Sequence, residues 1–453
     1  MSHVATRPSG PRGLPLIGSA RAMAQDILGF LLDLGRHYGD VSYARLGTSQ
    51  LYMLNDPLMI EDVLIGKHRD CIKDLGTREL IALVGQGLLT SEGEHWRRQR
   101  KLAAPPLQPK RIASYAQTMV ECAERELDTF RDGEVRDIHV DMMRLTLEIV
   151  GKTLLGFDAR GEAKRISVIV DAAMAYIDKQ MNSLQGLLPQ WVLTPERYHF
   201  RKAVRELDAL IYRVIARCRE QGSDADHLLA RLVQARDENG EPMSDVQLRD
   251  EAVTMLLAGH ETTALTLTYA AFLLARHPAA GARLREEIDQ KLAGRLPGMT
   301  DLPGLPFLDA VVKETLRLYP PAYVIGREVV KPFEVGGYLV PAGYQVLMSP
   351  YVMQRDPRYF DEPASFKPER WLEPAASQLP RFAYFPFGGG PRVCIGNHFA
   401  TMEVALVLCT LLQRVELEAL PGFELRTKPI VTMRPDGGVP MRVKRRAPAR
   451  VAA

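Results

Sequence analysis

Apolar positions run almost without interruption from residue 252 to residue 275, and together with the pattern before them they predict one long helix over 245–276 in the middle of the chain. Ser244 and Gln247 have the spacing of a capping box at its start, and Pro278 follows its end. The helix would extend roughly 48 Å at 1.5 Å per residue. An acidic residue at its centre, Glu261, would be costly in lipid. We therefore expect a helix buried inside a large protein, not a membrane span.

Helical and alternating patterns elsewhere predict a mainly α fold with minor β sheets near both ends of the chain. The predicted helices cover 110–131, 141–155, 163–182, 196–220, 305–319 and 398–413. The predicted strands lie in 41–54, in 323–348, and in a C-terminal hairpin over 424–444 that turns at 435–438. Neither a repeat nor a shift in composition marks a boundary, so residues 1–453 are expected to form a single domain.

Composition and charge narrow the class of protein. The formal net charge is +3, which makes nucleic acid an unlikely main partner. Five cysteines are scattered along the chain with no paired spacing, which favours a reducing compartment. The N-terminal residues contain no continuous apolar stretch of the kind that a secretory signal needs. We expect a cytoplasmic protein without a membrane span.

The most specific segment is 385–397, which reads FPFGGGPRVCIGN. Its glycines allow the backbone to turn tightly and approach a flat cofactor. Cys394 comes just before a predicted helix, whose N-terminal amides favour a thiolate, and a thiolate is a strong donor to haem iron. Arg392 is placed to reach a haem propionate. The alternative, a buried structural cysteine, is the better interpretation for the other four cysteines.

This segment resembles the haem-binding loop of the cytochrome P-450 superfamily, the haem-thiolate monooxygenases. The resemblance extends along nearly the whole chain, because AGHETT at 258–263 is similar to the oxygen-activation motif of that family. It implies a triangular fold with haem b between the long central helix and the helix after Cys394. It also implies that Cys394 ligates the iron, that Phe387 and Ala258 contact the cofactor, and that Thr262 and Glu261 handle protons.

Trp96 and Arg100 resemble the helix whose side chains bond a haem propionate in that family, and Arg327 matches a further propionate arginine. The same helix carries three more bases, Arg97, Arg98 and Lys101. These three are interpreted as a solvated face. We also hypothesise that they attract an acidic electron donor.

Two further motifs imply a structural cluster. Glu314 and Arg317 stand at i and i+3, and FKPERW at 366–371 resembles the family's second arginine segment, which adds Arg370. The sequence departs from the family pattern at Trp371, where the family usually has Phe. It departs again at Gln354, where relatives often have His. Neither departure touches a residue that we consider catalytic.

The resemblance implies a monooxygenase that inserts one oxygen atom from dioxygen into an apolar organic substrate. Electrons would come from a separate ferredoxin or flavodoxin-type donor with its reductase. A haem sensor or electron carrier and a peroxide-driven haem enzyme are the rival functions, and the acid–alcohol pair at 261–262 argues against both. The pocket is expected to draw on 77–90, 181–195, Ala258, Thr262, 321–326 and 428–432. Fatty acids, terpenoids or steroids, and macrocyclic natural products all remain open as substrates.

Overall fold

The computed structural model describes residues 7–158, 161, 163–182, 192, 194–222 and 227–446. Its α-helices are α1 Ala20–Gln25, α2 Ile27–His37, α3 Pro57–Glu61, α4 Leu75–Glu79, α5 Ile81–Val84, α6 Gly93–Ala103, α7 Pro109–Ile112, α8 Ala116–Leu127, α9 Ile138–Val150, α10 Ala163–Asn182, α11 Pro195–Gln221, α12 Leu228–Gln234, α13 Asp245–Arg276, α14 Pro278–Leu292, α15 Pro306–Leu318, α16 Pro350–Met353 and α17 Asn397–Arg414. The mainly helical architecture that the sequence predicts is confirmed.

The strands form small sheets beside the helical body. They are β1 Val41–Leu46, β2 Ser49–Leu54, β3 Cys71–Lys73, β4 Val135–Asp137, β5 Ile325–Val329, β6 Phe333–Val335, β7 Tyr338–Val340, β8 Gln345–Met348, β9 Val415–Ala419, β10 Thr427–Pro429, β11 Met433–Pro435 and β12 Pro440–Arg445. The largest sheet has the order β1-β2-β8-β5-β3, and a second has the order β4-β12-β9. β6 pairs with β7 and β10 with β11.

The long central helix α13 organises the fold. It begins after Ser244, whose side chain and that of Gln247 form the expected capping box, and it ends before Pro278. α9, α11, α15 and α17 pack around it. Nearly all its side chains from residue 251 to residue 274 are buried. A helix so enclosed must be apolar on every side, which explains the pattern from which it was predicted.

The predicted C-terminal hairpin is wrong. The chain turns earlier, at 430–432, so that β10 pairs with β11, while β12 joins β9 and β4 in another sheet. The Tyr269 hydroxyl of α13 donates to the Met433 carbonyl at 2.6 Å and fixes β11 against the long helix. Gly437 and Gly438 have φ of +80° and +82°, and they redirect the chain instead of folding it back.

The predicted helix over 110–131 is interrupted. A 3₁₀ turn at Ala113–Tyr115 separates α7 from α8. The predictions for 163–182 and for the helix after Cys394 agree with α10 and α17 within one residue. Among the described helices, none is long and apolar enough to cross a membrane.

Candidate active site

One face of α13 opens into an internal cavity of about 360 Å³. Between residues 251 and 274, only Ala258, Gly259 and Thr262 are not buried by protein. Residues three and four apart share one face of a helix, so these three residues lie together at the cavity wall, and Gly259 leaves the backbone uncovered there. The Thr262 hydroxyl donates to the Ala258 carbonyl at 2.5 Å. The structure therefore places two of the predicted site residues, Ala258 and Thr262, where the sequence motif requires them.

Cys394 lies on the opposite side of the same cavity. It is the only one of the five cysteines that is exposed, and it faces the cavity. The Cys394 amide donates to the Phe387 carbonyl at 2.9 Å, which closes the loop that carries both predicted residues. At Gly390, φ is +66° and a Cβ would come within 2.1 Å of the Leu64 carbonyl oxygen, so only glycine fits there.

The thiol of Cys394 experiences opposing influences on its pKa. Burial raises the pKa, while the Gly396 amide and the positive charge of Arg100 lower it, and the net direction is upward. The Gly396 amide at the start of the following helix lowers the pKa of Cys394, as the sequence predicts, but burial raises the pKa by more. The positive charge of Arg100 acts in the direction that favours a thiolate, but it does not reverse the net upward shift of the pKa.

Three bases line the cavity without an acidic partner. Lys73, Arg100 and Arg327 all border it, and none makes an ion pair within the described residues. Lys73 and Arg327 are direct cross-strand partners between β3 and β5. Burial, with the charges of Arg327 and Arg392, lowers the pKa of Lys73 to about 7. Like charges directly opposite on paired strands are unfavourable, so the arrangement calls for an anion between them.

Arg392 and Trp96 complete this basic side of the cavity. The Arg392 guanidinium stacks on the Trp96 ring, 4.0 Å from its centroid, and donates to the Ser91 carbonyl at 2.7 Å. Glu92 forms an ion pair with Arg392. Unlike the three unpaired bases, Arg392 is thus already held by an acid. Lys73 is the cavity base that sequence reasoning missed, because no motif marks it.

The cavity fits a haem group. It has a thiol on one wall, an open helix face on the other, and unpaired bases with an indole N–H where two propionates would lie. The sequence profile of the family "Cytochrome P450" matches residues 8–439. The chain belongs to the cytochrome P-450 family.

Relatives and a solved structure agree with this assignment. The chain is 36% identical over 433 residues to "Cyclooctatin synthase" of Streptomyces melanosporofaciens, covering 93% of this chain and 92% of that protein. It is 34% identical to "Cyclooctat-9-en-7-ol 5-monooxygenase" of the same organism, over 93% and 91% of the two chains. A crystal structure of a cytochrome P-450 haem domain superposes with a TM-score of 0.87 at 24% identity, over 98% of both chains. The chain therefore has the cytochrome P-450 fold, is a monooxygenase, and uses haem b.

Glu261, unlike Thr262, does not line the cavity of this cytochrome P-450. Its carboxylate forms a two-point ion pair with Arg434 of β11 at 2.6 and 2.7 Å, and the Thr432 hydroxyl also donates to it. Burial acts to raise the pKa of Glu261, but the hydrogen bonds and charge of Arg434 outweigh it and lower the pKa overall. Its role in handling protons stays a prediction, and that role would require the pair with Arg434 to open.

His260, the neighbour of Glu261, has a structural position. It is fully buried, and its Nε2 lies 2.9 Å from the Met143 carbonyl. Burial lowers the pKa of His260 to about 4, so the ring is neutral at pH 7 and donates to that carbonyl. The contact holds α13 against α9 beside the open face of the helix.

The predicted cluster around Glu314 is assembled outside the cavity. The Glu314 carboxylate accepts two hydrogen bonds from Arg317 at 2.8 Å and one from Arg370 at 3.1 Å. The Trp371 indole N–H donates to it at 2.9 Å, a contact that Phe could not make. Gln354 links the end of α15 to the haem-loop segment: its amide donates to the Leu316 carbonyl at 2.9 Å and accepts from the Phe385 N–H at 3.1 Å. Both departures from the family pattern thus have a structural use.

The predicted basic patch on α6 is not a set of free charges. Arg97 pairs with Glu94, Arg98 with Asp237 at 2.6 Å, and Lys101 with Glu238 at 2.7 Å. Of the predicted pocket segments, 183–191 and 193 lie outside the described residues. Segments 77–90 and 321–326 contribute Leu88, Leu89, Pro321, Ala322 and Ile325 to the cavity wall, whereas the predicted segment 428–432 does not line the cavity.

Proposed function

We propose that this cytochrome P-450 oxygenates a cyclic terpenoid. The observation that carries the proposal is the apolar wall of the cavity on the α13 side. Its apolar side chains are Leu88, Leu89, Leu154, Leu228, Met255 and Ile325. Both curated relatives named above act on terpenoids of the cyclooctatin type, which supports the same substrate class here.

Fatty acids fit this wall less well. A fatty-acid carboxylate needs a basic partner when it is buried. The unpaired bases of the cavity, Lys73, Arg100 and Arg327, lie on the side that suits the haem propionates. The remaining side chains of the described wall along α13 carry no charge. A compact, largely apolar ring system can bind to such a surface without a charged partner.

The residues of the chain have separate roles in this proposal. Haem b, when bound, supplies the iron at which dioxygen is activated for insertion of one oxygen atom. Cys394 would hold the iron, while Trp96, Lys73, Arg100 and Arg327 would hold the propionates. The Thr262 hydroxyl donates to the Ala258 carbonyl, yet its oxygen can still accept a hydrogen bond, so it can fix a water molecule at the open face of α13.

A binding screen tests the substrate class. Purified holoenzyme is titrated with cyclic terpenoids, long-chain fatty acids and macrolides, and the shift of the Soret band on binding is recorded. We expect saturable shifts with polycyclic terpenoids at lower concentrations than with the other two classes. A chain that responds to fatty acids but to no terpenoid contradicts the proposal.

Turnover separates the rival functions. With reductant and a surrogate ferredoxin system, product should form, whereas peroxide alone should give little. Thr262→Ala should leave α13 intact, because Ala is the better helix former, while product per reductant consumed falls. A peroxide-driven enzyme would give equal product with peroxide alone, and a sensor or electron carrier would give none in either case.

We also propose a ferredoxin or flavodoxin-type donor that docks near α7. Lys110 and Arg111 are exposed on this helix, and neither makes an ion pair with a described residue. The helix packs on α17, the helix that follows Cys394. Arg97 and Arg98, which are paired internally, provide the matched control. Lys110→Glu with Arg111→Glu should slow haem reduction at low salt more than Arg97→Glu with Arg98→Glu does. Equal rates for both double variants and wild type across a salt series would exclude docking at α7.

A further inference from the structure

One part of the cavity wall belongs to neither a helix nor a strand. It is the wall segment, residues 85–90, which links α5 to α6 and contributes Leu88 and Leu89 to the wall. Because the segment lacks the hydrogen-bond ladder of a helix or a sheet, its position in the molecule depends on contacts with its neighbours. The start of α13 supplies such contacts.

Two acidic residues of α13 each accept a backbone N–H of the wall segment. Asp250 accepts the Gln86 amide at 2.7 Å, and Glu251 accepts the Leu88 amide at 3.2 Å. Both acids are buried, Asp250 at 6% exposure and Glu251 at 0%. The helix that lines one side of the cavity therefore also holds the segment that forms another part of its wall.

The backbone of the wall segment lies directly against α13 at Gly87. A Cβ added there would come within 2.2 Å of the Thr254 hydroxyl oxygen and 2.7 Å of the Asp250 carbonyl oxygen. Only glycine allows so close an approach. Any side chain at this position would move the segment away from α13, and Leu88 would move with it.

The two acids that hold the segment differ in their surroundings. Asp250 also accepts from Arg249 at 2.9 Å, and Arg249 donates to Asp208 of α11 at 2.6 Å, so the first contact belongs to a charged network. Glu251 makes no ion pair with a described residue. Burial raises the pKa of Glu251 to about 8, so its carboxyl group is largely neutral at pH 7. Its contact with Leu88 is thus a neutral hydrogen bond, which a side-chain amide oxygen can also accept.

We infer that Glu251 is a positioning residue, which holds Leu88 in the cavity wall through the Leu88 amide and thereby sets how large a substrate the cavity accepts. Glu251 does not border the cavity itself, so it acts through the wall segment. The inference rests on the proposed use of this cavity for an apolar substrate, but not on the terpenoid class.

Imidazole and the bulky imidazole clotrimazole test the inference without knowledge of the substrate. Both are titrated into the holoenzyme, Kd is read from the Soret shift, and the ratio of clotrimazole Kd to imidazole Kd measures selection by size. Glu251→Met keeps an unbranched side chain but removes the acceptor. The ratio should fall about two- to tenfold, the range of one neutral hydrogen bond, because Leu88 is free to leave the wall. Glu251→Gln keeps an acceptor oxygen and should keep the wild-type ratio.

Leu88→Ala tests whether the effect passes through this side chain. Alone it should lower the ratio, because it removes part of the wall. Once Leu88 is Ala, Glu251→Met should lower the ratio no further. In Ile325→Ala, which changes a wall residue outside the segment, Glu251→Met should keep its full effect.

Gly87→Ala displaces the segment from the other side of the contact, and it decides the question if Glu251→Met does not fold. It should lower the ratio as Glu251→Met does. Gly298→Ala is the control, because the nearest atom to an added Cβ there is 3.6 Å away, and it should keep the wild-type ratio.

Three outcomes would overturn the inference while the proposed function stands: additive effects of Glu251→Met and Leu88→Ala, an unchanged ratio in Gly87→Ala, or a lowered ratio in Glu251→Gln. Failure of every terpenoid in the binding screen, together with the expected azole ratios, would overturn the proposed substrate class and support the role of Glu251. The two proposals can therefore fail separately.

Discussion

The cluster around Glu314 and the basic side of the cavity both bury charges, but only the cluster pairs them within the chain. Arg317 is fully buried, and besides Glu314 it donates to the carbonyls of Gln354, Pro363 and Ser365 at 2.7–2.9 Å. Lys73 and Arg327 are direct cross-strand partners, and neither makes an ion pair within the described residues. A buried charge that is paired within the chain has a structural role, whereas a buried charge without a partner in the chain indicates that a ligand binds there.

Removing the thiol gives the largest effect on the cavity side of this comparison. In Cys394→Ala, the reduced protein with carbon monoxide should lose the strongly red-shifted Soret band of a thiolate complex, because no other accessible cysteine faces the cavity. The absorption spectrum measures this directly. Cys409→Ala is the matched control, since Cys409 is buried in α17 and should keep the band. A shifted band that persists in Cys394→Ala would exclude it as the iron ligand.

Removing the charge of Glu314 gives the largest effect on the cluster side. Glu314→Gln leaves Arg317 as a buried charge without its counter-charge, and the free energy of unfolding should fall by about 3–5 kcal/mol. Denaturant unfolding monitored by circular dichroism measures this. Asp309→Asn on the same helix is the control, because Asp309 pairs with Lys313 at the surface and should contribute less than about 1 kcal/mol. Equal losses of unfolding free energy in the two variants would contradict the distinction between the buried charge of Glu314 and the surface charge of Asp309.

Trp371→Phe tests whether the unusual residue contributes to the cluster. The variant removes the indole N–H that donates to Glu314 at 2.9 Å, and a hydrogen bond to a charged group contributes about 1.5–3 kcal/mol. Unfolding in the single variants and in Glu314→Gln with Trp371→Phe forms a double-mutant cycle. The cost of Trp371→Phe should fall to that of a neutral hydrogen bond, about 0.5–1.5 kcal/mol, once Glu314 is replaced by Gln. An unchanged cost would mean that Trp371 acts by packing alone.

Local patterns predict the parts of this fold that local chemistry decides. The bounds of α13 follow from Ser244, Gln247 and Pro278, and the structure confirms them. The C-terminal hairpin was predicted wrongly because its register is set by contacts with α13, more than 160 positions away in the sequence. Turn residues at 435–438 mark a change of direction, but they do not reveal which strand the chain joins next.

In the candidate site, too, sequence motifs predict some of the residues, while other contacts arise only from the tertiary structure. Thr262, Arg327 and Cys394 belong to motifs, and the structure brings all three to one cavity. Lys73 belongs to no motif, and its importance comes from a pairing with Arg327 that only the sheet creates. The pairing of Glu261 with Arg434 likewise depends on tertiary structure. Sequence patterns identify the residue types that the chemistry needs, but not the partners that determine their protonation.

Lys73→Met has the smallest expected effect of these variants. It should stabilise the apoprotein, but it should weaken the retention of haem in the holoenzyme. Without haem, the variant removes a like-charge contact with Arg327, so the apoprotein should gain about 0.2–1 kcal/mol of stability. With haem, it removes a cation beside a propionate, so haem should transfer faster to apomyoglobin and the reduction potential should fall. A packing role would destabilise both forms. Lys331→Met, at an exposed position after β5, should change neither.

The pH dependence of the apoprotein sharpens this last prediction. The pKa of Lys73 is lowered to about 7 in the fold, against roughly 10.4 in an unfolded chain. Between these values the unfolded state binds more protons, so apoprotein stability should rise with pH from about 7 to 10. The Lys73→Met apoprotein should lack this rise, and Lys73→Arg should restore slow haem transfer in the holoenzyme. Identical pH profiles for wild type and Lys73→Met would show that Lys73 is already charged and paired without haem, and the contrast with Glu314 would then not hold at this residue.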